Sequence, residues 1–279
     1  MVVRHRGWVM VWVALAVALA GCDQSLDSAG CRSRAGALAE ANRAQAVGEA
    51  FDPPQTQFTD CQLHTLTQLR AFSRGIESLA GIEHLKNLAA LDVFDNALSD
   101  LTPLQGLTQL GFLNLSRNRV SDLTPLAGLK ALYELNLFSN QVEDLTPLAG
   151  LEELGALRLG RNLISDVAPL ADLPELGILI LSHNRLRQVT PLSGKLSLGV
   201  LDLSHNQIAD LGPLARMHNL RELNLRGNHI VELGPLVELV RAGGLGAKTV
   251  VYLQNNPLSA AALEDGVLAL RANGAKVEF

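Results

Sequence analysis

Aromatic side chains are scarce in this chain, with two Trp, two Tyr and seven Phe among 279 residues. Each one that falls at an exposed position therefore deserves individual placement. A strong excess of charge of one sign is missing too. Lys plus Arg number 23 against 28 Asp plus Glu, and no basic run occurs, so a nucleic-acid partner is not expected. Catalytic signatures are lacking: there is no H-E-x-x-H, no C-x-x-C and no G-x-x-x-x-G-K-S/T, and Gly194 to Gly199 misses a G-x-S-x-G elbow by one residue. No catalytic residue, cofactor or metal site is assigned on these grounds, and no enzyme is expected. Nor is there a long hydrophobic run. The longest spans Gly7 to Ala20, too short for the roughly 20 apolar residues of a bilayer-spanning helix.

That run follows Arg4, His5 and Arg6 and so reads as the core of a signal peptide, residues 1–21. Its end, Leu19-Ala20-Gly21-Cys22, resembles the lipobox of bacterial lipoproteins. The resemblance implies that Cys22 becomes the first mature residue, carrying diacylglycerol and palmitate-type acyl chains that tether the protein to a membrane of the cell envelope. An ordinary secretory signal with a Cys after its cleavage site is the other reading. Cleavage would remove both Trp and two of the 23 basic residues but no acidic one, leaving a net charge of −7. Asp23 resembles the inner-membrane retention signal of enteric bacteria, but other lineages sort differently, so inner and outer membrane both stay open.

After a linker, residues 22–30, the two other cysteines, Cys31 and Cys61, bracket an N-terminal cap, 31–62. Ala-rich Ser33 to Phe51 favours helix and stops at Asp52-Pro53-Pro54. A disulfide closing this loop would contribute roughly 3–4 kcal/mol by the chain-entropy model; two free thiols are the alternative.

What the sequence has in abundance is repetition. Asparagines stand at 96, 118, 140, 162, 184, 206 and 228, and prolines at 103, 125, 147, 169, 191, 213 and 235, each column with a period of 22. The unit is L-x-x-L-x-x-L-x-L-x-x-N-x-I/L/V-x-D-L-x-P-L-x-x. Eight copies, residues 63–238, begin at Leu63, Leu85, Leu107, Leu129, Leu151, Leu173, Lys195 and Met217; the first has Arg74 in place of Asn. A degenerate ninth, 239–259, holds six extra residues in a Gly-rich segment, and 260–279 form a C-terminal cap of one helix and a strand. The L-x-L alternation predicts one short strand per copy, with Leu inward and its neighbours outward. Asn96, Asn118, Asn140, Asn162, Asn184, Asn206 and Asn228 stand where the chain leaves the strand and would bond backbone groups that the bend leaves unpaired.

The motif closely resembles the leucine-rich repeat family, in the 22-residue form of bacterial internalins and of eukaryotic phosphatase regulators. It implies an α/β solenoid: a curved parallel sheet on the concave face, short 3₁₀ or extended segments on the convex face, and helical caps at both ends.

Since scaffold positions are explained by stacking, function is sought in the outward columns. One of these runs Phe72, Phe94, Ser116, Phe138, Gly160, Ser182, Ser204, Arg226. With Phe112 from a neighbouring column, four of the seven Phe are expected on one exposed surface, where an aromatic cluster marks a partner site or else packs as filler. Asn114, Asn136, Arg117, Arg158 and Arg161 would flank it, and a protein ligand with apolar and acidic side chains would suit the set. His183 and His205 occupy one place in adjacent copies and should be about 5 Å apart; with Gly227 and Arg161 on either side, solvated histidines are expected rather than a metal site. In the copy around Phe138, the positions Tyr133, Glu134, Asn136, Phe138 and Ser139 read as free of scaffold duty. The expectation is a monomeric, envelope-anchored module that binds a protein on its concave face in adhesion, recognition or scaffolding. The alternative is a regulatory or inhibitory scaffold of an envelope enzyme that works through its convex side.

Overall fold

In the computed structural model the described residues are 60–245 and 249–279. Cys22 and Cys31 lie outside them, as does the expected helix at 33–51. Of Cys61 only the backbone is described, in a short helix α1, Asp60–Thr65.

Ten three-residue strands stack in chain order into one parallel sheet: β1 Gln68–Arg70, β2 Ala90–Asp92, β3 Phe112–Asn114, β4 Glu134–Asn136, β5 Ala156–Arg158, β6 Ile178–Ile180, β7 Val200–Asp202, β8 Glu222–Asn224, β9 Val250–Tyr252 and β10 Lys276–Glu278. From β1 to β8 the register advances by one repeat, so Leu69, Leu91, Leu113, Leu135, Leu157, Leu179, Leu201 and Leu223 form one buried row. The outer residues of each strand face the opposite way, as strand alternation requires. Burying such rows is what stabilises the solenoid, since no single copy could cover its own leucines.

On the return path Thr-Pro-Leu segments such as Thr102–Leu104, Thr124–Leu126 and Thr146–Leu148 form single 3₁₀ turns with Pro at their start. Asp100, Asp122 and Asp144 each accept the backbone N–H two residues on, at 2.8 Å. Hydrogen bonds from Thr102, Thr124 and Thr146 hold these three carboxyls below their ordinary 3.8. Asp166 and Asp210 make the same 2.8 Å bond, so the Asp column is a set of turn caps in five of the repeats.

Between the leucine rows runs the asparagine ladder. Asn162 donates through Nδ2 to the carbonyls of Leu137 and Leu159, both at 2.9 Å, and its Oδ1 accepts the N–H of Val142 at 2.9 Å. Asn118, Asn140, Asn184, Asn206 and Asn228 repeat this pattern, each tying its own copy to the one before. Asn96 makes the same set at a half-buried site.

Two departures from the repeat are local. Lys195 stands in the leading leucine row and is buried; its Nζ donates to the Leu173 carbonyl at 2.6 Å, and burial lowers its pKa. In the eighth copy the 3₁₀ turn expected after Leu233 is replaced by α2, Gly234–Arg241, which runs past the expected boundary at 238. Pro235 starts it, and six extra residues give it room to complete two turns. At the C-terminal end a π-helical stretch, Ala262–Gly266, continues into α3, Val267–Ala272, before β10 pairs with β9.

Candidate partner-binding face

The outward residues of the strands build a face in two parts. In the first four repeats the aromatic residues stand on the sheet as expected, but they do not form one cluster. Phe72 and Phe94 stack, with ring centroids 5.2 Å apart and planes 22° apart. Ser116 separates them from Phe138, whose ring lies against bare backbone: a Cβ added at Gly160 would come within 2.9 Å of Phe138 Cδ2. Phe112 belongs to a different row and lines a hollow of about 290 Å³ with Arg70, Asp92 and Tyr133. Only Phe72 is well exposed; Phe94, Phe112 and Phe138 are half-buried. The aromatic patch is therefore a stacked pair, a ring over glycine and a wall, not a single surface of four rings.

The polar flank is sorted in the same way. Asn114 and Asn136 accept the N–H groups of Ser116 and Phe138 at 3.1 and 3.0 Å, so their oxygens cap the strand exits. Asp92 does likewise for Phe94, at 3.4 Å. Burial pushes the Asp92 carboxyl above its ordinary 3.8, against the Phe94 N–H, the nearby Arg70 and Asn114, which all pull it down. Arg158 is bonded to Glu134 at 2.6 Å on the face itself, which neutralises its charge there.

Arg117 and Arg161 point elsewhere. They occupy the position just before the ladder Asn, and every residue of that column has left-handed backbone: Ser73, Asp95, Arg117, Ser139, Arg161, His183 and His205 have φ between 54° and 58°, and Gly227 has 62°. A residue with a Cβ loses roughly 1–2 kcal/mol in this conformation. Ser139 is thus constrained by its backbone and Asn136 by its cap, so two of the five positions read as free of scaffold duty carry structure. His183 and His205 stack with centroids 4.2 Å apart and planes 11° apart. Burial, then His205, then Arg161 lower the His183 pKa, with Asp202 acting the other way. Among the described residues no three His, Cys, Asp or Glu gather as metal ligands.

The second part of the face was missed by the columns read above. Across repeats five to eight runs a groove of about 1050 Å³, with Tyr133 and Glu134 at one end and Arg221, His218, Gly243 and Gly244 at the other. Its floor is a glycine row, Gly155, Gly177 and Gly199, one residue before β5, β6 and β7. Ala156, Ile178 and Val200 stand beside it, and Leu196, 54% exposed, forms a wall. These glycines are not required by the backbone, because none has positive φ. Packing does not require them either. An added Cβ would meet nothing nearer than 3.7 Å, which is ordinary contact. What three consecutive glycines do is keep the trough open to its backbone floor. Tyr133, 55% exposed, stands over Gly111 and lines both the groove and the smaller hollow, so it forms a ridge between them. The signal for this groove was present in the sequence as a 22-residue glycine column.

Comparison with known proteins agrees with this architecture. A family model described as Leucine Rich repeats (2 copies) matches residues 108–150 and 197–238. No curated protein matches the sequence. Among solved structures, internalin C2 of Listeria monocytogenes is 32% identical with a TM-score of 0.65, over 80% of this chain and 92% of its own. A leucine-rich-repeat protein of Leptospira interrogans is 27% identical with a TM-score of 0.71, over 78% of this chain and 56% of its own. The ectodomain of a plant receptor kinase from Arabidopsis thaliana, solved in complex with CASPARIAN STRIP INTEGRITY FACTOR 2, shares the fold at 20% identity and a TM-score of 0.63, over 77% of this chain and 27% of its own. Such repeats are typically interaction scaffolds without enzymatic activity, and no catalytic family is indicated. By its repeat, its ten-strand parallel sheet and its identity to internalin C2, the chain belongs to the leucine-rich-repeat family, in the internalin type.

Proposed function

We propose that this protein is a lipid-anchored component of a bacterial envelope that binds a protein partner on its concave face, with the glycine-floored groove as the main contact and the Tyr133–Phe112 ridge beside it. The observation that carries this reading is the groove itself. Its volume is about 1050 Å³, three glycines that the fold does not need keep it open, and exposed Leu196 with half-buried Ile178 and Val200 line it. Apolar surface left in water beside a shaped hollow is what a partner would cover. A protein segment fits better than a small ligand because the groove extends across four repeats and mixes aliphatic side chains with Glu134, His218 and Arg221. Anchoring rests on the sequence alone, through Leu19-Ala20-Gly21-Cys22.

One preparation tests both halves. Mass spectrometry of detergent-extracted protein is expected to find diacylglycerol on Cys22 and a crosslinked protein partner. Replacing Phe112 and Tyr133 together by Ser should lower partner capture by about tenfold, the scale of one lost aromatic contact of 1–2 kcal/mol. Undiminished capture by a variant with an unchanged melting curve would move the partner to the convex side, in line with a regulatory scaffold. An unmodified Cys22 thiol would remove the lipid anchor from the account.

A further inference from the structure

Two groups of cationic side chains on the repeats are held differently. On the sheet face Arg158 is held by Glu134, and Arg226 by Glu278 and Gln254 while its guanidinium lies 4.1 Å from the Tyr252 ring. At the strand exits the situation is reversed. Arg117, Arg161, His183 and His205 are all exposed, and none of the four has an ion pair among the described residues. All four lie in the left-handed column, φ 54° to 57°, where the eighth repeat uses Gly227. The column needs a residue that tolerates this backbone; it has no structural need of a cation.

The column also aligns these groups. Because the left-handed turn recurs at one position per repeat, successive side chains start from the solenoid edge in the same direction, and His183 and His205 stay aligned to their rings, 4.2 Å apart. From Arg117 to His205 the row crosses five repeats, about 19 Å at the usual strand spacing. Asp95, the acidic member of the column, lies outside this span and is bonded to the Ser73 hydroxyl at 2.7 Å. Asp202 is the acidic group that acts on His183, and its Oδ1 accepts the Ser204 N–H at 2.9 Å. Within the span, then, like charges gather in a chain whose net charge is −5.

We propose that the edge row Arg117, Ser139, Arg161, His183 and His205 is a second contact surface, beside the groove, for an acidic segment of the partner protein. This rests on the reading of the adjacent face as a protein-binding face and adds the chemistry of the bound segment. Charge complementarity selects the occupant: guanidinium groups pair with carboxylates in two-pronged hydrogen bonds, and an extended stretch of about six residues spans the row. The histidine pair adds acid sensitivity. Burial, the facing His205 ring and Arg161 oppose protonation of His183, and a bound carboxylate supplies the countercharge, so binding takes up a proton there and tightens as pH falls.

The test uses fluorescent hexaglutamate as probe, with a neutral Gly-Ser hexapeptide and a heparin hexasaccharide as controls. Hexaglutamate is expected to bind, to weaken as salt rises, and to bind about tenfold tighter near pH 5.5 than near pH 7.5. The double substitution R117Q/R161Q should weaken binding by at least about tenfold, whereas H183Q/H205Q should abolish the pH dependence and leave the neutral-pH affinity intact. Gly177→Trp, which fills the groove, should leave hexaglutamate binding unchanged, so failure of the edge row and failure of the groove are read separately. Absence of salt-dependent hexaglutamate binding at either pH would overturn the proposal, as would binding that R117Q/R161Q does not alter. Tenfold stronger binding of heparin than of hexaglutamate would replace the acidic protein segment with an anionic glycan.

Discussion

Asn162→Ala will destabilise the protein by about 4 kcal/mol, although it removes only a few side-chain atoms. Asn162 is 6% exposed and joins three backbone groups in two repeats: the carbonyls of Leu137 and Leu159 and the N–H of Val142. Alanine would leave all three in a site that water reaches poorly, and each orphaned buried group costs roughly 1–3 kcal/mol. The loss would be a large share of the 5–15 kcal/mol that holds a typical domain together. Asn96 supplies the internal control. It makes the same bonds at a half-buried site, where water can take over, so Asn96→Ala should cost about half as much. Urea unfolding followed by circular dichroism measures both. A loss below about 1 kcal/mol at Asn162 would mean that the leucine rows alone hold adjacent repeats in register.

Gly177→Trp will abolish most partner binding while leaving the fold as it is. An added Cβ meets the carbonyl oxygens of Gly155 and Ser197 at 3.7 Å, and the backbone is not in a conformation that demands glycine. The indole would project from the middle of the floor, between Gly155 and Gly199, and occupy the trough that half-buried Ile178 and Val200 line. Stability should stay within about 1 kcal/mol of wild type, the usual range for surface changes. Partner affinity should fall about 100-fold, as when a central contact of an interface is blocked. Gly160→Trp is the instructive contrast. There a Cβ would collide with Phe138 and Ser182, so that substitution should lower stability before it affects binding.

The scaffold was legible because one period governs it. Seven asparagines and seven prolines 22 residues apart leave the chain a single way to stack, and the leucines at the motif positions can face only inward. The caps at Asp100, Asp122 and Asp144 were legible for the same reason, since a short acceptor two residues before an unpaired N–H has an obvious bond to make. The left-handed column was not legible. Arg, His, Ser and Asp occupy it with no shared chemistry, and Gly227 and, in the ninth copy, Asn255 are its strongest hints of left-handed backbone. Sequence columns also fix which side chains leave the sheet without fixing how they lean. Phe138 shares a column with Phe72 and Phe94, yet it settles over Gly160, because that glycine offers a flat backbone where Ser116 offers only a hydroxyl. The groove was present in the sequence as Gly155, Gly177 and Gly199, but an absence of side chains attracts less notice than a phenylalanine. The eighth-repeat helix was hidden by its Pro, which starts a 3₁₀ turn in six copies and α2 in this one.

The central claim is that the partner lies along the groove on the concave face. It is tested most directly by placing a photo-crosslinking amino acid at single positions around the solenoid, with Ile178 and Val200 on the groove and exposed Ala168 on the opposite, 3₁₀ side. The prediction is that one and the same partner is crosslinked from Ile178 and Val200, and that Ala168 captures none. Capture from Ala168, with Ile178 and Val200 silent, would contradict the account and assign the interaction to the convex side.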